Sequence, residues 1–130
     1  MLFRSYMVVS PNDGRQRRKV EQPIVTRKWL EVTGVLFPEV FHHFCADEWV
    51  EKIATKSGLV AYCMEITMEH MHPKYGKAEW DDVYKRKRDE QGHLRQMEDK
   101  QALIDLAPQI DELVEKLKVA ARVYEEKRLA

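Results

Sequence analysis

The chain has little cysteine, no excess charge of either sign and no long apolar run, and each shortage excludes a class of protein. Its 130 residues contain 2 cysteines, too few for the disulfide framework of a small secreted domain. Its 22 basic and 22 acidic side chains give no net field that would attract nucleic acid or an acidic membrane. A membrane-spanning helix needs about 18 or more apolar residues, and neither such a run nor a signal peptide's apolar core is present. We therefore expect a cytoplasmic chain with no membrane partner and no nucleic-acid partner.

Apolar patterning in the first half of the chain predicts alternating strands and helices. The opening stretch 1–10 is rich in β-branched and aromatic residues and ends at a Pro-Asn-Asp-Gly turn, which predicts a buried strand. Pro23 at a first helical position and Gly34 at a stop position predict a short helix. The segment 46–58, with acids in its first turn and a terminal glycine, predicts a second helix.

The segment 59–72 alternates from Tyr62 onward and predicts a strand. Cys63 falls on one side of it, and we expect the other side to face the core. The expected inward series is Met64, Ile66, Met68, His70 and His72. A strand that runs out of the core would carry this series into a cleft, so the period of two predicts that the two imidazoles converge there.

The chain from about residue 80 is predicted to be helical, with a charged helix followed by a regular heptad pattern. The apolar positions of that pattern follow at steps of three and four: Leu103, Leu106, Ile110, Leu113, Leu117, Ala120 and Tyr124. Pro108 predicts either a kink or a restart of the helix there. We expect a domain over 1–80 and a helical extension over 81–130. The heptad seam would join the extension to a second copy or to another protein, unless it folds back on the domain.

Imidazole and thiolate side chains form the first candidate site, and their types suit a transition metal such as zinc. The group comprises His42, His43, Cys45, His70 and His72. Its H-x-C and H-x-H spacings do not match a zinc signature, so packing or hydrogen bonding in the core is the favoured interpretation of the first three.

The second and third candidates are acidic and basic. Asp47 and Glu48 open a predicted helix, where carboxylates commonly satisfy free amides and complement the helix dipole. A cap is the favoured interpretation, and a general base toward a hydroxyl is the alternative. Basic clusters at 15–19 and 85–88 can bind phosphate, but they are more simply solvated faces.

Three motifs then occur in order: S-P-N-D-G at 10–14, F-H-H-F-C-A-D-E-W at 41–49, and E-H-M-H-P-K-Y-G-K-A-E-W-D-D-V-Y at 69–84. Together they resemble the C-terminal half of the small glycosyltransferase-like proteins of the GT-A fold found in bacteriophages and their hosts. The resemblance covers roughly residues 8–84, and H-x-H-P-x-x-G-K-A is its most specific part. It implies an α/β fold, α+β by content, in which a truncated GT-A-like sheet with flanking helices precedes the helical extension.

The resemblance also implies a metal. GT-A enzymes hold a divalent ion such as Mn²⁺ or Mg²⁺ between the diphosphate of a sugar nucleotide and a D-x-D motif. His70 or His72 resembles the histidine that completes this site. No donor-binding region ending in D-x-D precedes Met7, so we expect the chain to be inactive alone.

Four further residues take roles from the resemblance. Asp47 is similar in placement to the base that deprotonates the acceptor, Asn12 and Asp13 border the sugar pocket, and Lys77 reaches phosphate. We expect a glycosyltransferase-derived assembly or binding protein. The alternatives are the acceptor and metal-binding half of a split metal-dependent glycosyltransferase that transfers a hexosyl group, and a small metal or phosphate binder.

Overall fold

The structure, a computed structural model, describes residues 5–15 and 17–130. Its elements are β1 (Val8–Asn12), β2 (Ile24–Val25), α1 (Arg27–Thr33), α2 (Ala46–Ser57), β3 (Val60–Thr67), a 3₁₀ turn (Pro73–Tyr75), α3 (Asp82–Arg88), α4 (Glu90–Asp105) and α5 (Ala107–Leu129). The mixed α/β class expected from the sequence is confirmed in this coarse form. No helix within the described residues is long and apolar enough to cross a membrane.

The sheet has the order β2-β1-β3, with β1 antiparallel to β2 and parallel to β3. A parallel pair needs a crossover, which α1 and α2 supply between the two strands. Parallel pairing brings the carboxyl ends of β1 and β3 to the same edge of the sheet. The chain after each strand therefore stays paired: Met68 N–H donates to Asn12 O at 2.8 Å, and His70 N–H donates to Asp13 O at 2.9 Å.

The prediction that Met64, Ile66 and Met68 face the core is wrong for Ile66 and Met68, whereas Met64 is half-buried. Ala61 and Cys63 are the buried residues of β3, while Ile66 and Met68 are 55% and 44% exposed. The register between β1 and β3 shifts beside Asn12, so the end of β3 lies past the regular ladder, and residues 65–69 are all exposed.

The helix predicted from Pro23 begins later, at Arg27. Ile24 and Val25 instead pair with β1, which suits their β-branched side chains. The Thr26 hydroxyl accepts a hydrogen bond from Trp29 N–H at 3.3 Å and sets the start of α1. The predicted end at Gly34 is confirmed, since this residue ends α1 in the left-handed region at φ 79°.

The charged helix expected after residue 80 is divided into α3 and α4 at Asp89, whose carboxylate accepts from Gly92 N–H at 2.7 Å. A β-carbon at Gly92 would lie 2.3 Å from Lys87 O, so glycine permits the close corner between the two helices. This corner sets the position of Lys87, which reaches the site described below. Pro108 lies in the first turn of α5, which confirms a restart rather than a kink.

Of the two arrangements expected for the heptad seam, the structure shows the one in which the seam folds back on the domain. Helix α5 packs on α2 and α1. The seam residues Leu103, Ile110, Leu113 and Leu117 belong to one core cluster with Trp29, Trp49 and Ile53, and Leu106 packs against it. A single apolar stripe faces one partner at a time, so the extension folds back on the domain instead of projecting from it.

Leu117→Ala should lower the free energy of unfolding by about 2–5 kcal/mol because it opens a cavity at a side chain that is 0% exposed. Val119→Ala, on the same helix but 46% exposed, is the control and should change it by less than about 0.5 kcal/mol. Urea unfolding measures both. Equal effects, or a Leu117→Ala protein of unchanged stability and smaller assembly mass by light scattering, would mean that the seam serves an intermolecular contact.

Candidate functional site

A cleft of about 900 Å³ opens between the carboxyl edge of the sheet and helices α3 and α4. All 5 histidines of the chain line it, although they come from the segment before α2, the segment after β3, and α4. Aromatic rings of Phe37, Phe41 and Tyr84 also line it. We call it the histidine cleft. The predicted convergence of His70 and His72 in a cleft is confirmed, although the strand geometry expected to produce it is not.

His70 is held by a carboxylate. Its Nδ1 lies 2.8 Å from Glu21 Oε2. Glu21 also forms a close ion pair with Arg17, whose Nε donates to Asp13 Oδ2 at 2.7 Å. Burial would raise the pKa of Glu21, but the hydrogen bond from His70 and the guanidinium of Arg17 outweigh it and hold that pKa below its usual value. The chain Asp13–Arg17–Glu21–His70 thus connects the turn after β1 to the cleft.

His72 is held by the backbone and by aromatic rings. Its Nδ1 accepts a hydrogen bond from Lys74 N–H at 3.1 Å and so starts the 3₁₀ turn. The ring centroid lies 4.8 Å from that of Tyr84 and 6.3 Å from that of Trp80. Burial and the nearby positive charges, His70 and Arg88 first among them, lower the pKa of His72. The ring is therefore neutral over a wider pH range than a free imidazole.

The opposite wall of the cleft depends on Asp99 in α4, which is 0% exposed. Its carboxylate accepts three backbone N–H groups, from His42 at 2.8 Å, His43 at 2.9 Å and Phe44 at 2.7 Å. Burial alone would raise the pKa of Asp99, but these three hydrogen bonds outweigh it and hold the pKa below its usual value. One carboxylate therefore fixes the segment that presents both histidines.

The two histidines of this wall have charged neighbours. His42 Nε2 lies 2.6 Å from Glu98 Oε2, and His43 Nε2 accepts from the ammonium of Lys87 at 3.0 Å. Burial and the charge of Lys87 lower the pKa of His43. Lys87 also lies 5.2 Å from the ring centroid of Tyr84, so α3 joins the two walls of the cleft.

Asp47 lies on the cleft in the first turn of α2. Its Oδ1 accepts from Glu48 N–H at 3.0 Å, while the residue at the cap position, Cys45, makes no side-chain cap. Burial raises the pKa of Asp47 and outweighs that hydrogen bond. A carboxylate that served only to cap the helix would have a lowered pKa, so the position of Asp47 also suits proton transfer.

Three other predicted site residues lie off the cleft lining. Asn12 and Asp13 are buried in the turn, where Asn12 Oδ1 accepts from Gly14 N–H at 3.0 Å and Asp13 binds Arg17. Lys77 forms a close ion pair with Glu69. All three make contacts within the protein, and their predicted roles toward a sugar or a phosphate stay predictions.

The residues do not fit a complete metal site. Within 5–15 and 17–130, no three His, Cys, Asp or Glu side chains are placed to hold one ion. Cys45 is buried, and burial raises the pKa of its thiol to about 11, which disfavours the thiolate that zinc requires. The core role favoured for Cys45 agrees with this placement, whereas His42 and His43 line the cleft. That His70 or His72 binds a metal stays a prediction.

Comparisons of the chain with protein-family models, with curated proteins and with solved structures found no match. Function is therefore inferred from the geometry of the cleft.

Several residues that line or support the cleft belong to no motif that could be recognised in the sequence. Glu21 sits in a polar loop, and Asp99 and Tyr84 sit in helices with many charged residues. The roles of Glu21 and Asp99 arise from contacts between positions 49 to 57 residues apart, such as Glu21 with His70 and Asp99 with His42. The histidines themselves were the signal that led to the site.

Asp99→Asn should lower the free energy of unfolding by about 1–3 kcal/mol at pH 7, because one of the two oxygens that accept the three amides becomes an amide donor. Glu98→Gln, the exposed neighbour, is the control and should have an effect below about 0.5 kcal/mol. Urea unfolding gives both values. Unchanged stability in Asp99→Asn would contradict the anchoring role.

The stability difference between the wild-type chain and Asp99→Asn should depend on pH. A lowered pKa in the folded chain means that Asp99 contributes stability above the pKa of the unfolded chain, about 4, and loses it as the pH falls through the folded value. The difference between wild type and Asp99→Asn should therefore shrink below about pH 4.

Asp47→Asn should keep or raise stability at pH 7. The pKa of Asp47 is raised in the folded chain, so its ionised form opposes folding as the pH rises above the unfolded value of about 4. Asp47→Ala, which removes the acceptor as well as the charge, separates the two roles. A stability loss of about 1 kcal/mol in Asp47→Ala alone would identify the side-chain oxygen as a structural cap. A loss in both variants would mean that the ionised carboxylate stabilises the helix, which contradicts the raised pKa.

Proposed function

We propose that the chain is a binding domain whose histidine cleft takes a hydroxyl-rich ligand of the sugar class, derived from a glycosyltransferase and catalytically incomplete alone. The observation that carries this proposal is the gathering of all 5 histidines, with aromatic rings and Asp47, in one open cleft. Imidazoles offer both donors and acceptors to hydroxyl groups, and aromatic faces pack against the apolar face of a sugar ring.

The charges of the cleft support a polar ligand that can carry an anionic group. Lys87 and Arg88 lie on it, and Arg88 is 4.5 Å from the ring centroid of Trp80. Glu21 faces Arg17 and His70 within the protein, so its charge is compensated there. The order of the three motifs agrees with this proposal through their resemblance to GT-A proteins.

Assembly through the heptad seam receives less support, since the seam is part of the core. The split-enzyme alternative keeps specific support from Asp47, whose raised pKa suits a base toward an acceptor hydroxyl. In that alternative another polypeptide supplies the sugar-nucleotide donor and D-x-D, with Mn²⁺ or Mg²⁺. The third hypothesis, a small metal binder, lacks a complete ligand set among the described residues.

A panel of methyl glycosides tests the favoured proposal by chemical shifts of the labelled protein. At least one glycoside should perturb residues of the cleft, and Tyr84→Ala should weaken its binding about tenfold through the lost ring contact, about 1.4 kcal/mol. Tyr124→Ala is the matched control, because this half-buried ring packs on Tyr6 instead of lining the histidine cleft. A panel that perturbs no cleft residue would contradict the proposal.

Calorimetric titration with UDP-glucose, with and without Mn²⁺, distinguishes the split-enzyme alternative from the favoured proposal. Heat only when both are present would favour the metal-binding half of a split enzyme. Binding of a methyl glycoside without metal favours the binding domain.

A further inference from the structure

We propose that His70 and His72 form a complementary donor and acceptor pair for one hydroxyl-bearing ligand, and not a pair of metal ligands. This inference rests on the proposed function, which it deepens by assigning the two ring nitrogens their roles. Its basis is that each ring has one nitrogen already committed to a protein partner, and the two partners are of opposite kinds.

The partner of His70 is an acceptor. Glu21 is ionised at neutral pH, as an ordinary carboxyl group is, and its ion pair with Arg17 favours that form further. An ionised carboxylate only accepts hydrogen bonds. The contact of 2.8 Å between Oε2 and His70 Nδ1 therefore requires a proton on Nδ1. In the neutral ring this leaves a lone pair on Nε2, so His70 offers an acceptor to the cleft.

The partner of His72 is a donor. A backbone N–H only donates, so the contact of 3.1 Å from Lys74 N requires a lone pair on His72 Nδ1. The neutral ring then carries its proton on Nε2, and His72 offers a donor. This hydrogen bond also starts the 3₁₀ turn at Pro73, so reversing the tautomer would leave that amide without its acceptor.

The two rings lie side by side, with centroids 5.5 Å apart and planes at 86°, and both residues line the cleft. A hydroxyl group donates and accepts at once, and a pair of neighbouring hydroxyls on a sugar does so twice. A metal ion needs a lone pair from every ligand. His72 could supply one from Nε2 only by giving up its bond to Lys74, so the pair matches a hydroxyl and mismatches a cation.

The turn after β1 helps to fix the tautomer of His70 through a chain of ion pairs. Asp13 orients Arg17, Arg17 holds Glu21, and Glu21 fixes the ring of His70. Asp13 is thus a positioning residue for the cleft, because two ion pairs, Asp13 with Arg17 and Arg17 with Glu21, connect it to the carboxylate that holds His70. The sugar-pocket role that the resemblance implied for Asp13 becomes an indirect one.

Nitrogen NMR of ¹⁵N-histidine-labelled protein, at a pH where both rings are neutral, tests the assignment without any ligand. We expect His70 as the Nδ1–H tautomer and His72 as the Nε2–H tautomer. Glu21→Gln retains an acceptor oxygen and should keep the His70 tautomer, whereas Glu21→Ala should lose it while His72 is unchanged. Finding His70 as Nε2–H or His72 as Nδ1–H in the wild type would overturn the inference, whatever the cleft binds.

Addition of ligands to the same samples completes the test. A methyl glycoside that binds should shift both Nε2 resonances, and Glu21→Ala should weaken its binding about tenfold while Glu21→Gln weakens it less. Cleft binding that leaves both nitrogens unmoved would overturn this inference and leave the proposed function standing. A panel that binds nowhere in the cleft would overturn both. Zn²⁺ that binds both Nε2 atoms and converts the His72 tautomer would establish the metal pair instead.

Discussion

The parallel pairing of β1 with β3 is the contact on which the rest of the site depends. It is a long-range pairing across two helices, and it places the turn after β1 beside the segment after β3. The hydrogen bond from His70 N–H to Asp13 O extends that pairing beyond the sheet. Without it, Glu21 and His70 would not meet, since they are 49 residues apart in the chain.

A second constraint comes from the C-terminal helices. The apolar seam of α5 closes the core over Trp29 and Trp49, and so brings α4 against the segment before α2. There the buried carboxylate of Asp99 receives three amides and fixes the wall that presents His42 and His43. A buried charge is costly unless its donors are held in place, and the surrounding packing holds these three, so core packing and site geometry are coupled. Packing energy from one half of the chain thus holds functional groups supplied by the other.

The sequence predicted much of the local structure. Period-two and helical patterns located β3, α2 and α5, and glycine positions marked the ends of α1 and α2. It failed where tertiary contacts override local preference. Pro23 predicts helix for Ile24 and Val25, but a neighbouring strand is available to pair with them.

The site was predicted in part for the same reason. Two histidines at a strand end indicated a cleft, but the period of two also predicted Ile66 and Met68 as core residues, and both are exposed because the end of β3 lies past a register shift. The heptad pattern correctly predicted an apolar stripe on the C-terminal helices. It could not predict which surface the stripe packs on, because the pattern is the same for packing on its own domain and on another chain. Glu21 and Asp99 could not be predicted, because only the folded chain places them beside their partners.

A crystal structure of the chain grown with a methyl glycoside that binds it would show which cleft atoms hold the ligand. We expect the glycoside to lie in the histidine cleft, with one hydroxyl within hydrogen-bond reach of both His70 Nε2 and His72 Nε2, and Asp99 to keep its bonds to the three amides. A glycoside bound elsewhere, or histidines that do not share one cleft, would contradict it.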